Sequence, residues 1–123
     1  MDSPPSLAEL LAAVAEPTRL RIINCLAAAP LFVSDLQAVL DTTQPTVSRH
    51  LRVLRTAGLV RDTPIAQFVL YRLRRSSDGN GRVLNAVLEA ANQDPALRAE
   101  REEALARSRR TTQARTESGA RSA

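Results

Sequence analysis

Between residues 42 and 60 the chain reads TTQPTVSRHLRVLRTAGLV, and the polar side chains of this run share one kind of chemistry. Thr46, Ser48, Arg49, His50, Arg52 and Arg55 can all donate hydrogen bonds, three of them from a permanent positive charge, and no acid stands among them. Val47, Leu51 and Leu54 recur at helical spacing on another side. A solvated surface helix usually mixes both signs of charge. A helix that is apolar on one side and basic and hydroxylic on the other is built to lie against something anionic.

Such a helix needs defined ends. Thr43 is placed as its N-cap, Pro45 falls in the first turn where its missing N–H costs nothing, and Gly58 is placed for the left-handed cap that ends it. Three shorter helices precede it. Ser6 and Glu9 have capping-box spacing and open a first helix through Leu7, Leu10, Leu11 and Val14. Pro17 suits the first position of a second helix, whose apolar side holds Leu20, Ile23, Cys25 and Leu26. Ser34 and Gln37 repeat the capping-box spacing before a third helix through Leu36, Val39 and Leu40.

The period then changes. Residues 59–62 and 68–74 read as two strands around a turn containing Thr63 and Pro64. After SSDGNG comes a fifth helix with Val83, Leu84, Val87, Leu88 and Ala91. The expected fold is therefore mainly α with a small β-hairpin, in the order α-α-α-α-β-β-α, a winged helix-turn-helix. Residues 1–94 form that unit, 95–107 a charged helical extension, and 108–123 a disordered basic tail without an apolar anchor.

Charge is polarised along the chain. Residues 44–75 hold seven arginines against Asp62 alone, a net of six positive charges, whereas residues 1–43 hold two arginines against five acids. The basic stretch is where a polyanion would dock. All 17 basic residues are arginine, which fits a high-GC genome and carries no mechanism by itself. A chain of 123 residues supports one modest core. One cysteine excludes an intramolecular disulfide, and neither a secretory signal nor an apolar run of about 20 residues is present, which points to a cytoplasmic protein without a membrane partner. No nucleophile stands beside a base, no glycine-rich phosphate loop occurs and no carboxylates cluster, so an enzyme is not expected and no cofactor is implied.

The segments EPTRLRIINCLA, FVSDLQAVLDTTQPTVSRHLRVLRTAGLV and QFVLYRL resemble the ArsR/SmtB family of bacterial repressors, over about residues 7–88. The resemblance implies a homodimer that binds an inverted-repeat DNA operator and releases it when an inducer binds. It makes Gln44, Thr46, Ser48, Arg49 and His50 candidates for major-groove contact, with Arg52 and Arg55 on phosphates or at the groove's flank. Arginine pairs with guanine, glutamine with adenine, and hydroxyls with phosphate or either kind of base edge. The departures from the family pattern are equally informative. Arsenic sensors carry CVC where this chain has Phe32-Val33-Ser34, and zinc sensors carry histidine on the last helix, where residues 78–94 have none. Neither metal site is therefore expected. The wing turn, residues 63–67, lacks the family's glycine and basic tip.

Several residues have a plainer reading beside the functional one. His50 reads as a helix-edge hydrogen-bonding residue rather than a pH switch. Cys25 reads as a small core hydrophobe rather than a redox sensor. Leu7, Leu10, Leu11 and Val14, with Val83, Leu84, Val87 and Leu88, either close one protomer's core or form a dimer interface. Residues 98–110 are either a helix braced by pairs such as Glu103–Arg107 or a flexible basic arm. The inducer stays open between an organic metabolite at the dimer interface, an oxidant at Cys25 and no inducer at all. A metal held by carboxylates such as Asp78, Glu89 and Asp94 is a weaker option. The alternative function is a winged-helix protein-interaction module whose basic face meets an acidic partner. Gln44, Thr46 and Ser48 argue against it, being base-edge chemistry.

Overall fold

The computed structural model describes residues 5–122, with side chains through Thr111 and at Ala114. Its elements are α1 (Leu7–Val14), α2 (Pro17–Leu26), β1 (Leu31–Phe32), α3 (Val33–Leu40), α4 (Gln44–Thr56), β2 (Val60–Ile65), β3 (Phe68–Leu73), α5 (Gly79–Ala91) and α6 (Pro95–Ser122). This is a winged helix-turn-helix carrying one further helix and one further strand.

The helix ends follow local chemistry. Ser6 caps α1 by accepting the Glu9 N–H at 3.1 Å, and Glu16 caps α2 by accepting the Arg19 N–H at 2.8 Å beside Pro17. Thr43 is the N-cap of α4. Asp41, at φ 51°, ends α3 in the left-handed region, which aspartate tolerates better than most residues. The expected Ser34 cap is not used. The Asp35 carboxylate instead accepts the Phe32 N–H at 3.0 Å, and α3 starts at Val33. The reason lies one step back: Leu31 and Phe32 are held as a strand, so the helix must begin directly behind them.

That strand was not anticipated. Two residues are too few to show a period. β1 pairs antiparallel with β3 (Leu31 with Tyr71, Phe32 with Leu70), giving a three-stranded sheet in the order β1-β3-β2. The hairpin is also longer than expected. β2 runs to Ile65 and the turn shrinks to Ala66 and Gln67, with Ala66 at φ 55°. Pro64 falls inside β2, which tolerates it because an edge strand has only one neighbour to bond.

The core gathers Leu10, Ile22, Ile23, Leu36, Val47, Leu51 and Leu54, each at most 2% exposed, with Leu31, Leu73, Leu84 and Leu88 around them. Among the described residues, no helix is long and apolar enough to cross a membrane.

The C-terminal segment departs most from expectation. α6 passes without a break through Ser108, where a disordered tail was expected to begin. It packs on α2 and α3, with Ala104 fully buried at the contact. Most of its attachment is polar, which is why no apolar stripe announced it. Glu100 takes the Arg21 guanidinium in a two-oxygen ion pair. Asn24, fully buried, donates to the Leu97 carbonyl at 2.7 Å and accepts from Arg101 at 3.0 Å. Asp35, also fully buried, accepts from the Thr111 hydroxyl at 2.6 Å and lies 3.6 Å from Arg107, which does not pair with Glu103. Ser108 donates to the Pro30 carbonyl at 3.0 Å. A buried polar group left without its partner costs about 1–3 kcal/mol, so Asn24 and Asp35 require this helix.

Gly58 closes α4 at φ 76°, and a Cβ there would lie 3.3 Å from the Pro5 ring. Gly58→Ala should lower stability by about 1–2 kcal/mol, the cost of placing an L side chain in the left-handed region. Urea denaturation should show an earlier midpoint with an unchanged slope.

Candidate nucleic-acid interface

α4 is fixed to the core by Val47, Leu51 and Leu54, exposed by no more than 1%. That stripe decides what the helix shows outward. Gln44, Arg49, Arg52 and Arg55 are exposed, and Thr46 and Ser48 are half-buried. The hydroxyl and amide groups are already ordered among themselves. The Gln44 amide donates to the Ser48 hydroxyl at 2.6 Å, one helical turn on, and Thr43 donates to Thr46 at 3.0 Å. α3 and the residues 41–43 link lead into α4, and α3 packs on it, which is the helix-turn-helix arrangement. The result is a donor-rich face suited to phosphate oxygens and base edges.

His50 separates from the others. It is only 8% exposed, with Nδ1 3.7 Å from a Glu16 carboxylate oxygen and 3.4 Å from the Arg19 guanidinium. Its ring belongs to the α2–α4 junction, so the groove contact expected of it does not fit its placement. Burial makes the ring harder to protonate than usual; the Glu16 carboxylate opposes this, and Arg19 and Arg49 add to it.

Arg55 is not a free cation. It forms an exposed ion pair at 3.2 Å with Asp62, the one acid of the basic stretch. Two cations that the sequence reading left unassigned, Arg61 and Arg72, sit directly opposite each other on β2 and β3, both exposed. Like charges facing across a ladder repel, so an anion lying over this face would relieve them. The alternation of 68–74 could have placed Arg72, but its partner depended on the hairpin register.

The expected dimer residues divide. Leu10, Val14, Leu84 and Leu88 are core residues of one protomer, between 2% and 6% exposed, and so have little surface left to offer a second copy. Leu7 and Leu11 stay 48% and 44% exposed on α1, and Val83 and Val87 are half-buried on α5.

Cys25 is fully buried, and its thiol is pushed up to about 12, first by burial and then by the Glu100 carboxylate. A reactive thiol needs the opposite shift. Among the described residues, no group of three His, Cys, Asp or Glu side chains is placed to hold a metal ion. Asp78 and Asp94 act as caps instead. Asp78 accepts the Gly81 N–H at the start of α5, and Asp94 accepts those of Ala96 and Leu97 at the start of α6.

Residues 16–62 match the family model described as bacterial regulatory protein, arsR family. The chain is 34% identical over 92 residues to a transcriptional repressor SmtB homolog of Synechocystis, covering 75% of this chain and 66% of that protein. It is 40% identical over 81 residues to a biofilm growth-associated repressor of Agrobacterium fabrum, covering 66% of this chain and 68% of that one. The chain thus spans about two thirds of the length of these relatives. Among solved structures, the transcriptional repressor BigR from Xylella fastidiosa superposes with a TM-score of 0.62 at 28% identity, covering 72% of this chain and 86% of that one.

The His50 environment has a pH signature. Its folded-state pKa lies below the ordinary value of about 6.5, so protons bind the unfolded chain more readily. The stability this contributes is complete above pH ~6.5 and is lost as pH falls through the lower folded value. Urea denaturation at pH 7.5 and 5.5 should show that loss, and His50→Gln should flatten it.

Proposed function

The chain belongs to the ArsR family of bacterial regulatory proteins, whose members are DNA-binding transcriptional repressors and not enzymes, and from this premise we propose that it is a cytoplasmic homodimer reading an inverted-repeat operator. The two α4 helices enter successive major grooves, about 34 Å apart. Gln44, Thr46, Ser48 and Arg49 meet base edges, Arg52 meets a phosphate, and Arg55 reaches one only by giving up its weak, exposed pair with Asp62. Arg61 and Arg72 add backbone contact from the hairpin. Leu7 and Leu11, with Val83 and Val87, provide the apolar surface that the second copy covers. The observation that carries this reading is the outward face of α4, which holds arginine, glutamine and hydroxyls and no acid, on a helix whose other side is locked in the core.

Metal sensing is not part of the proposal. The cysteine pair of the arsenic sensors is replaced by Phe32-Val33-Ser34, and Asp78 and Asp94 are occupied as caps. Titrating the operator complex with zinc, cadmium and arsenite tests this, and stoichiometric release by any of them would overturn it.

Fluorescence anisotropy with DNA from upstream of the chain's own gene tests the groove assignment. Arg49→Ala should weaken the specific site by about 1–3 kcal/mol, five- to 150-fold, and leave a random duplex nearly unchanged. Equal losses on both duplexes would make Arg49 a phosphate contact only, and no loss on either would remove α4 from the groove. Leu7→Glu with Leu11→Glu should sediment as a folded monomer; a persisting dimer would place the interface elsewhere.

A further inference from the structure

Behind the outward face of α4 lies an open groove of about 440 Å³ between α1, the start of α2 and α4. Ala12, Val53 and Ala57 give it an apolar lining, with Val53 39% exposed, high for a valine on a helix so well packed elsewhere. Its charged groups are Arg19, Arg52 and Glu9, two cations against one carboxylate. Among the described residues, neither guanidinium forms an ion pair. Arg19 is held in place by its own bonds, donating to the Ala13 carbonyl at 2.7 Å and the Ala12 carbonyl at 3.4 Å. Arg52 is exposed on α4 and, among the described residues, makes no hydrogen bond or ion pair. The lining therefore joins an apolar surface to an excess of positive charge, with Arg19 held by its bonds and Arg52 extending from α4.

We propose that this groove binds a small organic carboxylate with an apolar body, and that its occupant takes Arg52 away from DNA. The apolar body covers Ala12, Val53 and Ala57, which are otherwise left wet. The carboxylate lies between the two guanidiniums, whose planar forks suit it. The second half rests on the reading of Arg52 as a phosphate contact. A guanidinium turned into the groove and paired there cannot also neutralise a phosphate, so filling the groove weakens DNA binding without any change of fold. This supplies an effector site lined by residues of a single protomer and separate from Cys25.

Decanoate serves as the probe, and decyltrimethylammonium as the control of equal chain length and opposite charge. Amide resonances of the full chain should show saturable shifts centred on Ala12, Ala13, Val53 and Ala57 with decanoate below 1 mM, and none with the cation. Val53→Asp, at a partly exposed position, should cut that affinity at least tenfold, and Ala12→Trp, which fills the groove, should do the same. Absent shifts, equal shifts with the cation, or unchanged binding in both variants would overturn the site. In anisotropy, decanoate should raise the operator Kd at least fivefold for the parent chain and less than twofold for Ala12→Trp. A filled groove with an unchanged operator Kd would overturn the competition for Arg52. If the chain binds no operator at all, the DNA reading fails, and the resonance shifts still decide the groove.

Discussion

The seating of Val47, Leu51 and Leu54 in the core is the contact on which the rest of the molecule's behaviour depends. These side chains are essentially without solvent exposure, and they set the rotation of α4 about its own axis. A helix has about 100° between successive residues, so fixing one stripe fixes the direction of every other side chain. Gln44, Arg49 and Arg52 point outward for that reason alone. His50 stands one residue from Leu51 and three from Val47. The same geometry carries it to the edge of the stripe and under Glu16 and Arg19, away from the surface its neighbours share.

A second layer of order comes from polar groups rather than apolar ones. α2 and α3 each bury one such residue, Asn24 and Asp35, and both find partners on α6. This is an economical way to specify a docking position. Apolar surfaces slide past one another at small cost, whereas a buried amide or carboxylate is satisfied at one register only. α6 is therefore indexed against the helix-turn-helix unit by hydrogen bonds, with Ala104 supplying close approach.

The helical fold was legible because its signals are local. Capping residues, first-turn prolines and the apolar period of 3.6 lie within a few residues of what they determine, and α1, α2, α4 and α5 stand where Ser6, Pro17, Thr43 and the 83–91 pattern put them. The errors share the opposite property. β1 exists only because Leu31 and Phe32 meet β3 some forty residues on. α6 is anchored by side chains that read as solvated when taken alone, since the acceptors of Arg101 and Ser108 and the Asp35 that receives Thr111 are distant in sequence. The same holds for the site. The donor-rich face of α4 was visible in one segment, but the capture of Arg55 by Asp62 and the opposition of Arg61 to Arg72 follow from the hairpin register. Leu10 and Leu7 likewise looked equivalent on a short helix, and only packing divides them into core and surface.

The edges of the small sheet have a consequence for crowded conditions. β1 is two residues long and lies against α3 and α6, so one edge is covered. β2, the other edge, is largely exposed, but it carries Arg61 and Asp62 and contains Pro64, which brings no backbone donor. An unprotected strand would invite pairing with any copy brought close, and a regulator gathered at neighbouring sites on one DNA molecule meets its own copies at high local concentration. A short covered edge and a charged, proline-bearing one both disfavour open-ended strand addition.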